Sequence, residues 1–330
     1  MLFGSPNHPP ERRRQLDLNK FVTTVIKSLR KETEDVVRLE LADPDEWELP
    51  RYTAGAHIDL CLTPDIVRQY SLCGDPRERK RYFVAVRADH QGRGGSLHIH
   101  RKLRVGDILS TSLPRNCFPL ADDAKNSLLI AGGIGLTPFM SMIPVLQQRR
   151  QSFHLHVCTR SIEQTPFRAQ LEHLQSRGLA TFHHRGESRG ERLKLAELFA
   201  RSDLDTHLYC CGPSSLLDDF IGSSTHWPSS NVHYEHFAPT TPSGPSYQLK
   251  LARSGQTVEV VAGETMVDAL GRHGVKVPTS CRMGICGACK VEYLAGRPDH
   301  RDHCLSDGER THSLMPCVCG SLEPVLELDL

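Results

Sequence analysis

The feature that most constrains this chain is a cysteine-rich loop near its C-terminal end. Residues 281–289 read CRMGICGAC, so Cys281, Cys286 and Cys289 follow the spacing C-x4-C-x2-C. Plant-type loops with this spacing hold a 2Fe–2S cluster, which also needs a fourth, distant cysteine. Gly284 and Gly287 let the loop's own amides approach the cluster closely. The loop therefore predicts an iron–sulfur centre in the last part of the chain.

Zinc and disulfides are the alternatives to an iron–sulfur cluster. Structural zinc sites usually use two short-spaced cysteine pairs, and Cys317-Val-Cys319 is too tight for the second pair. The 12 cysteines are also too dilute for a small disulfide scaffold. We therefore favour the cluster, while Cys304, Cys317 and Cys319 all remain candidates for its fourth ligand.

Length and charge bound the remaining possibilities. A chain of 330 residues is enough for two domains or three small ones, at a typical ~150 residues per domain. Its formal charge of +1 gives no basic excess for a nucleic acid or an acidic membrane surface. The uncharged stretch Ser127–Leu146 is interrupted by glycines and prolines, which argues against a membrane span. With no apolar segment after Arg12–Arg14, no secretory signal is expected, and we predict a cytoplasmic protein.

Hydrophobic periodicity divides the chain into parts. Up to about residue 118, alternating apolar residues predict an antiparallel sheet or barrel. Residues 119–237 show strands alternating with helical patterns, which is typical of a parallel α/β domain. Residues 238–246 read APTTPSGPS, which indicates a stiff linker before a last domain at 247–330.

Two short segments in the first part suit a phosphate-bearing ligand. Arg68-Gln69-Tyr70-Ser71 lies in a strand pattern, which puts Arg68 and Tyr70 on one face and Ser71 on the other. The sequence GRGGS at residues 92–96 opens a predicted helix, and its free amides suit a phosphate.

Two further segments predict a nucleotide site in the middle part. The sequence GGIGLTP at residues 132–138 lies between a strand and a helix, where glycines let the backbone approach a pyrophosphate. The sequence CGP at residues 211–213 follows another strand. Ends of parallel strands meet at one edge of a sheet, so we expect both segments to border one cleft.

Together these motifs resemble one family over nearly the whole chain, from about Leu18 to Leu330. The segments RQYS, GRGGS, GGIGLTP, CGP and CRMGICGACKVEYLAGRPDHRDHC with MPCVCG are similar to those of the phthalate dioxygenase reductase and vanillate O-demethylase reductase family, within the ferredoxin reductase superfamily. The resemblance implies a multidomain protein with an antiparallel β-barrel flavin domain (1–118), an α/β parallel-sheet nucleotide domain (119–237) and an α+β, β-grasp 2Fe–2S ferredoxin domain (247–330). It also implies FMN and NADH as cofactors. The residues themselves leave FAD open, and they leave NADPH open because Arg160 suits a 2′-phosphate.

The resemblance carries residue roles as well. For the flavin it implies ring contacts from Tyr70 and Ser71, ring-edge or ribityl contacts from Ala85, Val86 and Arg87, and phosphate contacts from Arg68, Gly94, Gly95 and Ser96. For the nicotinamide nucleotide it implies Gly133, Gly135, Thr137, Pro138, Arg160, Ser161, Cys211, Gly212 and Pro213. Of these, Cys211 is expected near the nicotinamide and Thr137 near the flavin, closest to the reaction. The implied cluster ligands are Cys281, Cys286, Cys289 and Cys317, with Cys319 as the competitor for the last place and Cys304 as a packed thiol.

The function implied is that of an NADH-dependent iron–sulfur flavoprotein reductase. It would pass electrons one at a time through FMN and the 2Fe–2S cluster to a transiently bound Rieske-type non-haem iron oxygenase acting on an aromatic substrate. One alternative is the same redox core serving a cytochrome P450 or another iron protein. The other is a ferredoxin-like carrier whose reductase domains are inactive. The sequence leaves the oligomeric state open, with a monomer favoured, and does not identify the organic substrate.

Overall fold

A computed structural model describes residues 21–64, 66–186, 193–237, 244–279, 282, 284, 287–302 and 304–330. Within those residues no helix combines the length and the apolar character that a membrane crossing needs.

The first sheet is antiparallel and nearly closed. Its elements are β1 (Phe21–Lys31), β2 (Val36–Ala42), β3 (His57–Thr63), β4 (Ile66–Ser71), β5 (Tyr82–Arg87), helix α1 (Gly95–Lys102) and β6 (Ile108–Ser112). The strand order is β4-β3-β6-β1-β2-β5, and a bridge between Leu72 and Val84 joins its two edges. Alternating apolar side chains point inward, which fills the interior with residues such as Leu39 and Leu60. The predicted antiparallel barrel is confirmed.

The second sheet is parallel and carries helices on both faces. Its elements are β7 (Asn126–Gly132), α2 (Leu136–Arg149), β8 (Ser152–Thr159), α3 (Arg168–Ser176), β9 (Ala180–His184), α4 (Leu195–Phe199), β10 (His207–Gly212), α5 (Ser214–Ser223) and β11 (Val232–His236). The strand order is β11-β10-β7-β8-β9. The chain leaves β7 towards β8 and leaves β10 towards β11, so the connections diverge between these two neighbours. Sheets of this kind bind ligands at such a switch point, beyond the carboxyl ends of the strands.

The third sheet is mixed and belongs to the last part of the chain. Its elements are β12 (Tyr247–Leu251), β13 (Thr257–Val260), α6 (Met266–Arg272), β14 (Val291–Ala295), α7 (Asp307–Arg310), β16 (Ser313–Leu314) and β18 (Val325–Leu328), with a small pair made by β15 (Pro298–Asp299) and β17 (Gly320–Ser321). The order is β13-β12-β18-β14-β16, with β12 parallel to β18. One helix, α6, packs its apolar face onto this sheet, in the expected α+β arrangement.

The barrel and the parallel sheet are joined by a shared hydrophobic cluster. Barrel residues such as Ala54 and Ala85 pack into the same cluster as Leu136 and Phe139 of α2. At this junction the buried Gly55 amide donates a hydrogen bond to the Ser141 hydroxyl, 2.9 Å away. The third sheet, by contrast, has a cluster made only of its own residues, from Leu249 to Leu328 and neighbours up to Leu330. Of the predicted linker, 238–246, the first six residues, 238–243, lie outside the described residues.

Gly55 generates a test of the junction. Its φ is +90°, and a Cβ there would lie 1.9 Å from the Phe118 carbonyl oxygen, whereas Gly106 has φ +94° and no heavy atom within 4 Å of such a Cβ. We expect Gly106→Ala to cost about 1–2 kcal/mol from backbone conformation alone, and Gly55→Ala to cost about 1–3 kcal/mol more from overpacking. Urea unfolding followed by circular dichroism measures both losses. Equal losses for the two variants would show that the junction tolerates movement.

Candidate functional site

A cleft of ≈ 610 Å³ lies between the barrel and the parallel sheet. Its walls are β4, the end of β5, the start of α1, and the turns that follow β7, β10 and β11. The residues around it are Arg68, Gln69, Tyr70, Ser71, Ala85, Val86, Arg87, Asp89, Gln91, Gly92, Arg93, Gly95, Ser96, Gly132, Ile134, Gly135, Thr137, Gly212, Pro213, Ser214, Glu235 and Phe237. The structure therefore brings most of the sequence-predicted cofactor residues to one place.

Strand β4 supplies one wall of the cleft through all four residues from Arg68 to Ser71. Strict alternation puts Ser71 on the opposite face from Arg68, yet both line the cleft. The reason is that β4 is the edge strand of the barrel sheet, so the cleft can reach both its sides. Burial raises the pKa of the Tyr70 phenol, which keeps this side chain neutral.

The start of α1 provides a place for an anion beside Arg68. Gly94 precedes the helix with φ 77°, and no side chain caps the helix amides. Uncapped amides at a helix start attract negative charge. The Arg68 side chain packs directly against Gly95, where a Cβ would lie 2.4 Å from its Cγ, and it donates to the Arg93 carbonyl. A guanidinium next to open amides fits the phosphate end of a flavin mononucleotide.

The turns after β7 and β10 meet at the switch point because glycines allow it. A Cβ on Gly132 would lie 2.6 Å from Pro213 Cδ, and one on Gly135 would lie 2.2 Å from the Cys211 carbonyl oxygen. Only glycine fits such an approach of two backbones. The Thr137 hydroxyl, at the start of α2, donates to the Ile134 carbonyl at 3.0 Å and fixes the same turn. The arrangement fits the pyrophosphate and nicotinamide of a dinucleotide.

A second cavity of ≈ 170 Å³ adjoins this turn. Gly133 and Arg160, both predicted nucleotide residues, line it, as do Asp35 from the turn between β1 and β2 and Thr159 at the end of β8. The cavity lies beyond the carboxyl ends of β7 and β8.

Four of the predicted flavin and nucleotide residues line neither cavity. Gly94 and Ser161 are sequence neighbours of residues that do, and Pro138 is buried inside α2. Cys211 is fully buried behind the glycine turn, and burial raises the pKa of its thiol well above the ordinary value, so the thiol is neutral.

Sequence reasoning missed Glu235 and Phe237 at the end of β11. Glu235 pairs in register with Cys211, which brings it beside the switch point. Its carboxyl is buried, its Oε2 has no hydrogen-bond partner within the described residues, and burial raises its pKa to about 8. The signal in the sequence was a single acidic residue in the otherwise unremarkable strand VHYEH, which periodicity does not flag.

The cluster loop is described in part. Cys289 and Cys317 are both buried, while Cys281 and Cys286 lie outside the described residues. Gly284 has φ +69°, and a Cβ there would lie 2.5 Å from a methyl carbon of Val318, so the loop packs closely on the segment that carries Cys317. Two buried thiols within one hydrophobic cluster of the last domain fit the donor set of a 2Fe–2S cluster.

The other two candidate thiols occupy different surroundings. The Cys319 thiol donates to Asp302 Oδ1 at 3.5 Å and its sulfur accepts the Met315 amide at 3.4 Å. Burial raises the pKa of this thiol to about 12. Cys304 is half-buried against the core of the last sheet.

The charge of Arg282, which follows Cys281, is felt at Arg68. Burial lowers the Arg68 pKa most, and the Arg282 charge lowers it further, while the neighbouring Tyr70 opposes the shift. Arg282 forms an ion pair with Asp268 of α6 at 2.8 Å.

Comparison with known proteins agrees with this architecture. Residues 249–321 match the family described as 2Fe–2S iron-sulfur cluster binding domain. The chain is 38% identical over 314 residues to phthalate dioxygenase reductase of Burkholderia cepacia, covering 94% of this chain and 98% of the relative. It is also 38% identical over 319 residues to a vanillate O-demethylase oxidoreductase of Pseudomonas putida, covering 94% and 100%.

Solved structures give the same picture. A structure of phthalate dioxygenase reductase, described as modular for electron transfer from pyridine nucleotides to [2Fe–2S], has a TM-score of 0.72 at 37% identity and covers 95% of this chain and 99% of that one. An intact type IV self-sufficient cytochrome P450 monooxygenase has a TM-score of 0.77 at 35% identity, covering 93% of this chain and 41% of the P450 chain.

Glu235 generates a pH-dependent prediction. The pKa of Glu235 is about 8 in the folded protein, against an ordinary value of 4.5. Between these two pH values the folded protein holds a proton that the unfolded chain has released. The free energy of unfolding should therefore fall as pH rises through the window, by up to a few kcal/mol. Glu235→Gln removes the titrating group. The melting temperature of the variant, measured relative to that of the wild type, should therefore rise between pH 5 and pH 8.5. Parallel pH profiles for the two proteins would contradict the burial of an unpaired carboxyl.

Proposed function

This chain belongs to the phthalate dioxygenase reductase family, and we propose that it is the reductase component that passes electrons from NADH through FMN and a 2Fe–2S cluster to a Rieske-type non-haem iron oxygenase. Relatives in the family are reductase components of oxygenase systems, which supports an oxygenase as the partner. The observation that carries the proposal is that one chain combines a cleft lined by the flavin and nucleotide motifs with a domain that holds the buried Cys289 and Cys317 and matches the 2Fe–2S family.

A bound flavin supplies the conversion between the electron pair of a hydride and the single electrons that a 2Fe–2S cluster accepts. We assign its phosphate to Arg68 and the amides of Gly94, Gly95 and Ser96. We assign its ring to Tyr70 and Ser71, and its ring edge or ribityl chain to Ala85, Val86 and Arg87. The position of Arg68 beside the start of α1 supports a ligand that ends in a phosphate, which favours FMN over FAD.

The nicotinamide nucleotide is assigned to the switch point and to the adjoining second cavity. Gly133, Gly135 and Thr137 would border its pyrophosphate, and Gly212 and Pro213 its nicotinamide, with Pro138 and Cys211 packed behind them. Arg160 and Ser161 would lie near the adenosine ribose, where the Asp35 carboxylate disfavours an added 2′-phosphate and so supports NADH. The protonated Glu235 can both donate and accept a hydrogen bond, which suits a nicotinamide carboxamide.

The cluster ligands proposed are Cys281, Cys286, Cys289 and Cys317. The burial of Cys289 and Cys317 supports their assignment as ligands. The competitor, Cys319, has its thiol hydrogen-bonded to Asp302, which supports its exclusion from the ligand set. We also retain as proposals a cytoplasmic, monomeric protein and the domain division 1–118, 119–237 and 247–330, joined by the linker 238–246.

A cytochrome P450 is the second candidate partner. The observation in its favour is the likeness to the reductase part of a self-sufficient P450, where the TM-score is 0.77. Reconstitution separates the two candidates, because only the true partner shows substrate turnover that depends on NADH and on this chain.

The function is tested first with Cys317→Ser. We expect this variant to lose the visible absorption of the cluster and the NADH-driven reduction of a Rieske oxygenase, because one cluster ligand is missing. It should keep NADH oxidation with ferricyanide, since hydride transfer to the flavin does not use the cluster. Absorption spectra and stopped-flow reduction measure both effects.

The matched control for that experiment is Cys319→Ser, which should keep both the cluster and the transfer. The opposite pattern, with the cluster lost only in Cys319→Ser, would overturn the ligand assignment. Loss of all NADH oxidation in both variants would contradict separate sites for the flavin and the cluster.

Flavin binding is tested with Arg68→Ala. Loss of one charge-assisted contact to a phosphate should weaken FMN binding by about tenfold to a hundredfold. Fluorescence titration of the flavin-free protein measures the dissociation constant. Arg101, exposed in the last turn of α1, gives the control variant Arg101→Ala, which should bind FMN as the wild type does. Equal affinity in all three proteins would remove the phosphate role of Arg68.

A further inference from the structure

A cluster of three potential metal ligands lies in the last domain, outside the predicted iron–sulfur ligand set. It consists of His300, Asp302 and Cys319, whose ligand atoms all lie within 4.8 Å of one another. His300 and Asp302 belong to the segment after β15, and Cys319 precedes β17. We propose that these three side chains bind a zinc-class divalent cation.

The distances match those between ligands of a tetrahedral zinc ion. His300 Nδ1 lies 3.4 Å from Asp302 Oδ1, and Cys319 Sγ lies 3.5 Å from the same oxygen. With bonds of about 2.3 Å to sulfur and about 2.0 Å to nitrogen and oxygen, tetrahedral angles place nitrogen and oxygen about 3.3 Å apart and sulfur and oxygen about 3.5 Å apart. The third pair, His300 Nδ1 and Cys319 Sγ, lies within 4.8 Å.

The hydrogen bonds around the cluster leave ligand atoms that a cation can bind. His300 Nε2 donates to the Arg310 carbonyl at 3.1 Å, because a carbonyl oxygen only accepts. His300 Nδ1 has no hydrogen-bond partner within the described residues and lies 3.4 Å from Asp302 Oδ1. A cation between these two atoms would be bound by both.

The surrounding contacts are those of a supported metal site. A metal-bound histidine usually donates its other ring N–H to a carbonyl or carboxylate, as His300 does here. Asp302 Oδ2 accepts the Leu305 amide at 3.0 Å, and Cys319 Sγ accepts the Met315 amide at 3.4 Å. The ligand oxygen and sulfur are thereby held in place.

Charge at the site favours a divalent ion. The Arg310 guanidinium lies 3.6 Å from Asp302 Oδ2 and opposes any cation. The Asp302 carboxylate and a Cys319 thiolate outweigh that one positive charge, and the thiol proton passes to solvent when the sulfur binds. A ligand set of thiolate, imidazole and carboxylate selects zinc over magnesium or calcium.

Access to the site is from the imidazole side. The Asp302 side chain is fully buried, whereas the His300 side chain keeps 18% of its surface exposed. The ion would enter there and take water as its fourth ligand. It would tie the segment after β15 to the turn that carries Cys317.

The experiment loads zinc into the full-length protein with its flavin and cluster in place. After dialysis against ZnCl2 in excess Mg²⁺, metal analysis should find about one zinc per chain. The zinc X-ray absorption edge, which does not respond to iron, should show one sulfur at about 2.3 Å with nitrogen or oxygen at about 2.0 Å.

Two variants and one control make the result specific. Cys319→Ser and His300→Gln should each weaken zinc binding, measured by chelator competition, by at least about tenfold. Cys304→Ser, which changes another thiol of the same domain, should bind zinc as the wild type does. Iron content and visible absorption, measured in every variant, should stay unchanged, which shows that the domain is folded and the cluster intact.

Three outcomes would overturn the proposal. The first is a wild-type protein that retains no zinc, and the second is zinc binding unchanged in Cys319→Ser and His300→Gln. The third is a zinc shell with three or four sulfurs, which would place the ion among the cluster cysteines. The first two results leave the flavin and the cluster untouched, and the iron content separates the third from a failure of the proposed function, because a protein that keeps its iron keeps its cluster.

Discussion

The structure depends on a hydrophobic cluster that two domains share. Phe118, where the chain leaves the barrel, packs edge-on against Phe139 of α2 and Tyr209 of β10, with ring centroids 6.0 and 5.8 Å apart. Edge-to-face aromatic pairs of this kind add to the free energy of burial. Because these contacts pack the barrel against the parallel sheet, residues of β4 and of the turns after β7 and β10 line the same cleft. The arrangement of the cleft residues therefore depends on packing between the two domains.

The charged side chains of the cleft are arranged to suit a charged ligand. Arg68 lies beside the start of α1, where Gly94 offers no side-chain cap to the helix amides. Such a concentration of positive charge favours a bound anion. Glu235, in another part of the cleft lining, is buried, and burial raises its pKa and favours its neutral form. These two parts of the lining therefore differ in charge.

Motifs that require an unusual backbone geometry were predictable from the sequence. Residues whose properties depend on burial by distant parts of the chain were not. The glycines of GGIG and CGP are required where two backbones touch, so these sequence motifs were enough to predict the switch point. Alternating apolar residues likewise predicted the barrel, and strands that alternate with helical patterns predicted the parallel sheet. The two-sided exposure of β4 was not predictable, because it depends on β4 being an edge strand. Glu235 was missed for a similar reason, since its raised pKa comes from burial by residues distant in sequence.

Within the described residues the ferredoxin domain shares no hydrophobic cluster with the other two domains, whereas the barrel and the parallel sheet, each with a cluster of its own, also share one. A unit whose folding energy comes from within can be moved along a gene, fused to another protein or lost, without rebuilding its neighbours. The likeness of 93% of this chain to 41% of a P450 chain fits such exchange of ready-made parts.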